Sequence, residues 1–460
     1  MTTRRLFLKG AGAAASVALL PARTGAAAGT PPNILFIVAD DLGWADLSCY
    51  GARDYQTPVL DRLAAQGVRF TQAYANSPVC SATRTALITG RYQQRLAVGL
   101  EEPVAHYDQK LGLPPAQKTL PSMLLRQGYS TSLIGKWHLG APPKFGPLKS
   151  GYERFFGFHY GALDYFLHTP NRNEPPDPYE GLYENERPIK VQGYLTDLFA
   201  DRAIAQIRTH DRGRPFFMSL HFNAPHWPWE GPDQAAVAPT LERLRDYSQG
   251  SLKIYGEMVM AMDAAIGRVL AALDETQQAA NTIVIFTSDN GGERFSDAWP
   301  FIGMKGELLE GGIRVPAIVR WPVSIAPAQK SDQVSASMDW APTLLSMATG
   351  SVPRASLFDG VDISAAMMGG TPTPRTLFWR YRANHQAAVR DGDWKYLRLG
   401  KHECLFDLSA DVHERAEVQD KHPQAFKRLK AMHAKWNSSM LPYPKKSYSE
   451  DPKDNLLDRY

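Results

Sequence analysis

Thr282-Ile283-Val284-Ile285-Phe286-Thr287-Ser288, running straight into Asp289-Asn290-Gly291-Gly292, is the segment from which the fold is read. Seven residues suit a strand better than a helix, and the branched and aromatic side chains leave no polar face. Such a run predicts a strand buried on both sides, as in a parallel sheet covered by helices. The polar tetrad that ends it puts a carboxylate and an amide beyond the strand's carboxyl end, where open α/β sheets collect their ligands.

The same arrangement recurs upstream. Asn33 to Ala39 is another continuous apolar run and ends in Asp40-Asp41. Tyr129 to Ile134 enters Gly135-Lys136-Trp137-His138, and Pro215 to Phe222 enters Asn223-Ala224-Pro225-His226. Helix signals lie between these strands. Thr57 and Pro58 open a helix that runs to Gly67, Thr119 to Gln127 stops at Gly128, and a long helical stretch runs from about Leu241 to Leu273. Val68 to Ala73 reads as a further strand. This alternation predicts an α/β fold, a large mostly parallel sheet sandwiched by helices.

From about Pro372 the pattern changes. Thr376 to Tyr381, Gln386 to Arg390, Trp394 to Arg398 and Cys404 to Leu408 are short strands with Asp391-Gly392-Asp393 as a hairpin turn, and a helix follows from Pro423 to Asn437. We expect a main domain over 30–371 and a small α+β domain over 372–460. The latter is a smaller C-terminal antiparallel sheet carrying one helix, with a loosely packed tail from Pro442. The Pro- and Asn-rich stretch from Thr169 to Pro188 reads as a surface excursion.

A chain of 460 residues with 44% hydrophobic and 21% charged residues excludes a fibre or a disordered polymer. Thr3-Arg4-Arg5-Leu6-Phe7-Leu8-Lys9, the small apolar run from Ala11 to Leu20 and the triplet Ala26-Ala27-Ala28 predict a twin-arginine signal over residues 1–28. Its expected partner is the Tat export machinery, and its destination the periplasm or the medium. Arg4, Arg5, Lys9 and Arg23 are that segment's only charges, so removing it takes the net charge from +4 to zero. That leaves no basic excess for nucleic acid. No later run reaches about 20 apolar residues, so stable membrane insertion is not expected.

Cys80 stands at a predicted loop-to-helix junction, where unpaired N–H groups favour an anion, with Arg84 one turn further on. Asp40, Asp41, Asp289 and Asn290 are hard oxygen donors; adjacent carboxylates repel one another unless a cation intervenes, and this set favours Ca²⁺ or Mg²⁺ over zinc. Asp and Asn also serve turns and caps. Recurrence after four strands argues for a shared site. Lys136 and His138, two apart, point the same way in extended backbone.

Cys80-Ser81-Ala82-Thr83-Arg84 with Leu87-Ile88-Thr89-Gly90-Arg91, Gly135-Lys136-Trp137-His138-Leu139-Gly140, Pro225-His226-Trp227-Pro228 and Met304-Lys305-Gly306 with Glu310 to Pro316 resemble, in order, the motifs of the type I sulfatases. These are arylsulfatase-like members of the alkaline phosphatase superfamily. The resemblance extends from Asn33 to the hairpins near Trp394. It implies a sulfatase acting on an aryl, alkyl or carbohydrate sulfate, with Cys80 oxidised to formylglycine by a maturation enzyme. It also implies a Ca²⁺ (or Mg²⁺) site made of Asp40, Asp41, Asp289, Asn290 and modified Cys80. Arg84 then holds the hydrated aldehyde, Lys136 and Lys305 bind the sulfuryl oxygens, His226 or Lys305 protonates the leaving alcohol, and His138 helps expel sulfate. Ala82 stands where many members carry proline and Thr83 where many carry serine, which bears on the choice of maturation enzyme.

Two other readings share these residues. One is a phosphodiester or phosphonate monoester hydrolase of the same superfamily; the other is a non-catalytic binder of sulfated glycans in which Cys80 stays a thiol. Trp227 and Trp229 are candidates to stack on a sugar or aryl group, or else to pack in the core. Cys49 and Cys404 are either a disulfide pair or two unpaired core residues.

Overall fold

The computed structural model describes residues 30–104, 110–169, 181–241, 244, 249–351, 354 and 357–446. The expected export signal, part of the excursion from Thr169 to Pro188 and the chain end beyond 446 lie outside these residues.

Ten strands form the main sheet, with Asn33–Ala39 near its centre. It pairs in parallel with Thr282–Ser288 on one side and Phe216–His221 on the other. Ser130–Lys136 and Arg154–Phe158 continue the parallel run. Both flanks bring in antiparallel pairings: Leu182–Glu184 and Arg187–Ile189 at one edge, and toward the other Ala317–Arg320, antiparallel to both Thr282–Ser288 and Val68–Phe70, with Gln329–Ser331 then pairing in parallel with Val68–Phe70.

The central strands are buried on both faces because their alternate residues feed two different cores. Leu35, Ile37, Val284 and Phe286 pack with Phe199 and Val259, from the helices Leu195–Arg208 and Leu252–Glu275. Ile34, Phe36, Ile283 and Ile285 pack with Leu87, Leu124 and Trp340, from Cys80–Thr89, Leu120–Arg126 and Trp340–Thr349. Each large side chain so enclosed contributes roughly 1.5–3 kcal/mol. That two-sided burial holds the strand ends rigid, and the ends carry the polar clusters.

The smaller sheet is an antiparallel meander of Thr376–Tyr381, Gln386–Asp391, Trp394–Leu399 and His402–Asp407. One face packs Val389, Tyr396 and Leu405 on Leu429 of the helix Pro423–Asn437. The other sets Trp379, Leu397 and Phe406 against Tyr74, Val79, Ala82 and Ala86, the last two on the Cys80 helix.

Three local expectations change. The long helix begins at Leu252, not near Leu241, because Ser251 caps it by accepting from Ile254 N at 3.2 Å, and Gly250 before it takes a left-handed φ of +79°. Antiparallel strands flank the parallel core where the sequence carries no long apolar run. The segment after Pro442 is tied down as far as Lys445: Arg382 donates to Pro444 O and Lys445 O, and the Tyr443 hydroxyl donates to Glu102 at 3.2 Å.

Candidate active site

Cys80 opens its helix at a buried position, 2% exposed, directly after extended Val79. The helix continues for ten buried residues to Gly90, which caps it in the left-handed region. Arg84, on the next turn, reaches back across the ends of the parallel strands. Its Nε donates to Asp289 Oδ2 at 2.9 Å and its Nη2 lies 2.8 Å from the same oxygen. Nη1 donates to Lys136 O at 3.2 Å.

The strand ends supply the rest. Asp40 and Asp41 follow Asn33–Ala39, and Asp289 and Asn290 follow its neighbour Thr282–Ser288, in register with Ala39 opposite Ser288. Asp41 has φ +63°, an uncommon conformation for a residue with a side chain, and its N–H donates to Asp289 Oδ1 at 3.3 Å. Asn290 Nδ2 donates to Asp41 Oδ1 at 2.8 Å. Lys136 Nζ sits 2.5 Å from Asp40 Oδ2, and Lys305 Nζ sits 2.6 Å from Asp41 Oδ2, with His226 Nε2 at 3.6 Å from that oxygen. Gly135 permits the close strand approach beside Lys136: at φ +108°, a Cβ there would lie 1.8 Å from His221 O.

His138, at φ +59°, points its Nε2 at Val104 O, 2.8 Å away, while its Nδ1 is buried without a partner. The carbonyl fixes the tautomer: Nε2 carries the proton and Nδ1 a bare lone pair. Burial, reinforced by Lys136, pushes the pKa of this ring well below its usual value, and burial with Lys305 and Lys136 does the same for His226. Lys305 moves the other way; Asp41 and Glu293 outweigh its burial and raise it well above the ordinary lysine value. Burial raises the Cys80 thiol in spite of Lys136 and Lys305. Burial also drives the Asp40 carboxyl well up, with Lys136 opposing and Asp289 adding to the rise.

All ten expected site residues therefore converge. The ligand atoms of Asp40, Cys80 and Asp289 lie within 4.8 Å of one another, as do those of Asp40, Asp41 and His226. Two oxygens at this centre, Asp40 Oδ1 and Asn290 Oδ1, are buried with no hydrogen-bond partner. Leaving buried acceptors unmet is costly. Unmet hard oxygens beside clustered carboxylates fit a divalent cation such as Ca²⁺ or Mg²⁺.

Sequence reasoning missed two contributors. His221 Nδ1 lies 3.2 Å from both Arg84 Nη1 and Lys136 O; it ends the strand Phe216–His221, and a lone polar residue at that place was the available signal. Asp46 is buried and accepts from Gly43 N, Tyr55, Tyr255, Ser296 and Asp297 N, pinning the loop after Asp41; nothing in its neighbours' spacing announces this. Of the candidate stacking residues, Trp229 is only 5% exposed and packs its ring against Phe295, while Trp227 rests on His226 with ring centroids 4.3 Å apart. Cys49 and Cys404 are both free.

These strand-end carboxylates, cations and imidazoles on an α/β scaffold define an ester hydrolase for a tetrahedral anion. Residues 32–351 match the Sulfatase family, and residues 304–439 match the N-sulphoglucosamine sulphohydrolase C-terminal family. The chain belongs to the sulfatase family, a type I member of the alkaline phosphatase superfamily, and is a sulfuric ester hydrolase. N-acetylgalactosamine-6-sulfatase of Rattus norvegicus is 36% identical over 394 residues, covering 80% of this chain and 72% of that one. Arylsulfatase A of Bos taurus is 32% identical over 490 residues, covering 93% of each. The crystal structure of Ps i-CgsB superposes with a TM-score of 0.81 at 29% identity, over 91% of this chain and 95% of the other, and the same protein has been solved with k-i-k-neocarrahexaose.

Proposed function

We propose that this chain hydrolyses a sulfate ester on a carbohydrate, using an aldehyde hydrate derived from Cys80 and a divalent cation held by Asp40, Asp41, Asp289 and Asn290. Calcium is the first choice and magnesium the second. The observation that carries the reading is the pair of buried oxygens without a hydrogen bond, Asp40 Oδ1 and Asn290 Oδ1, in a cluster that brings Cys80 within 4.8 Å of Asp40 and Asp289. The carbohydrate comes from the relatives, one named for N-acetylgalactosamine 6-sulfate and one solved with a neocarrahexaose.

When bound, the cation supplies Lewis acidity that favours the ionised form of the attacking hydroxyl. The protein does the rest. Arg84, fixed by Asp289 and the Lys136 carbonyl, orients the side chain at position 80 from the next helical turn. Lys136 and Lys305 approach from two sides and offset charge on the sulfuryl oxygens, which grows as the bridging oxygen departs. Lys305 Nζ, held protonated against Asp41 Oδ2, is placed to pass a proton to the leaving oxygen; His226, whose Nδ1 donates to Trp227 O at 2.7 Å, turns a bare Nε2 toward the same wall and would donate only from its protonated form. His138 Nδ1, bare and neutral, is built to accept a proton and serves as the base that releases sulfate.

On this reading the chain meets its maturation enzyme in the cytoplasm, travels folded through the twin-arginine machinery and acts in the periplasm or outside the cell. The Arg4-Arg5 signal supports that route. Two measurements test the proposal together: mass analysis of the Cys80 peptide from enzyme made in its native host, and parallel assays of the sulfate and phosphate esters of one alcohol. We expect an aldehyde at position 80 and a strong preference for sulfate. A fully active enzyme with an unmodified thiol throughout overturns the mechanism.

A further inference from the structure

The loop from Gly291 to Met304 leaves the site at Asn290 and returns to it at Lys305. Its base is closed by Lys305 N donating to Gly292 O at 2.9 Å. Gly292 itself is packed so tightly that a Cβ would lie 1.7 Å from Ser296 Oγ. The loop is pinned along its length. Ser296 Oγ and Asp297 N donate to Asp46 at 2.6 and 2.9 Å, Ala45 N donates to Asp297 O at 2.8 Å, and Phe301 sits edge-on to Trp44 with centroids 5.2 Å apart.

From this rigid frame projects Trp299. It is 57% exposed, the most of any large hydrophobic side chain among the described residues. Its backbone N–H donates to Asp297 Oδ1 at 2.8 Å, and its ring lies against the imidazole of His413, with centroids 5.1 Å apart and planes tilted by 41°. His413 Nδ1 is in turn bonded to Pro300 O. An indole held in water by a backbone with no freedom to turn it inward is unfavourable in the free protein and preorganised for a partner.

We propose that Trp299, backed by His413, is a carbohydrate subsite that stacks on the apolar face of a pyranose neighbouring the sulfated residue. This inference rests on the carbohydrate reading above. The loop connects the subsite to the reaction centre: five residues lie between Trp299 and Lys305, so their Cα atoms are at most about 20 Å apart. An oligosaccharide is long enough to bridge any separation in that range. Arg53, on the same rim and 3.7 Å from Asp297, offers a cation to a further sulfate on such a chain. The enzyme is thereby a reader of chain length as well as of the ester.

The test compares the wild type with Trp299→Ala and Trp299→Phe in the matured, full-length enzyme. The substrates are 4-nitrophenyl sulfate, N-acetylgalactosamine 6-sulfate, 6-sulfated chondroitin tetra- and hexasaccharides, and neocarrahexaose. We expect kcat/KM for the best oligosaccharide, relative to that for 4-nitrophenyl sulfate, to fall about three- to tenfold in Trp299→Ala, through KM, and to be largely kept in Trp299→Phe. An unchanged ratio, or a parallel loss on both substrates, overturns the subsite. So does a wild-type dimer that Trp299→Ala dissociates, since the indole is then covered by a second copy. A wild type that turns over 4-nitrophenyl sulfate and none of the saccharides overturns the carbohydrate reading itself.

Discussion

Two clusters of buried charge lie within this molecule, and they are built to opposite ends. At the strand ends, Asp40, Asp41 and Asp289 face Arg84, Lys136 and Lys305, yet Asp40 Oδ1 has only Arg84 Nη2 at 3.7 Å and Asn290 Oδ1 has no hydrogen-bond partner. Beneath the small sheet, Lys395 Nζ sits 2.9 Å from Glu310 Oε1 and 2.6 Å from Glu414 Oε1. There the remaining oxygens are also met: Glu310 Oε2 accepts from Tyr74 at 2.6 Å and from Arg314 at 3.1 Å, and Glu414 Oε2 accepts from Glu310 N at 2.6 Å. In the second network every carboxylate oxygen lies within 3.1 Å of a cation or donor, and it fastens the small sheet to the Glu310 helix; in the first the shortfall is one a ligand would make good. Buried charge alone therefore does not mark function. Unfilled valence does.

Breaking each cluster separates the two roles. Asp289→Ala removes a proposed cation ligand and the anchor of Arg84; we expect loss of bound calcium, by metal analysis, with a fall in kcat of at least about a hundredfold. Normal calcium affinity in that variant refutes the ligand assignment. His138→Ala removes the bare Nδ1 lone pair, and kcat is expected to fall by about 10²–10⁴ with little change in melting temperature. Lys395→Met acts on the other cluster. It strands Glu310 and Glu414, and should cost about 3–5 kcal/mol in denaturant unfolding. A melting curve like the wild type's removes the fastening role.

The smallest effect sharpens the comparison through pH. Glu102 is a lone buried carboxyl, accepting from Arg382 N and Tyr443, and burial pushes its pKa up to about 8. The folded state thus holds a proton that the unfolded chain releases near pH 4.5. Its contribution to stability is whole below that value, declines as pH rises toward 8 and is lost beyond. Glu102→Gln should flatten this decline in melting temperatures taken from pH 5 to 9. Parallel curves for variant and wild type would show that Glu102 titrates normally.

The parallel core was legible because burial on both faces forces unbroken apolar runs, and Asn33 to Ala39 and Thr282 to Ser288 have them. The short outer strands were not. Gln329–Ser331 and Arg187–Ile189 are three residues each and carry polar side chains, so local sequence says little and pairing decides. The site was legible where residues follow strand ends or form motifs. Asp46 and His221 escaped because their partners arrive from far along the chain, as Tyr255 and Ser296 do for Asp46. Trp229, which the sequence leaves open between stacking and packing, packs inward, whereas Trp299, unremarked in sequence, is the exposed one.

The helix that begins with Cys80 is enclosed between the main sheet on one side and the small sheet on the other, through Ala82 and Ala86 against Trp379. The small sheet's first strand begins at Thr376. A ribosome therefore finishes position 80 some three hundred residues before it makes the lid for that helix. On the proposed reading, a maturation enzyme would meet the Cys80 helix before Thr376–Asp407 is there to cover it.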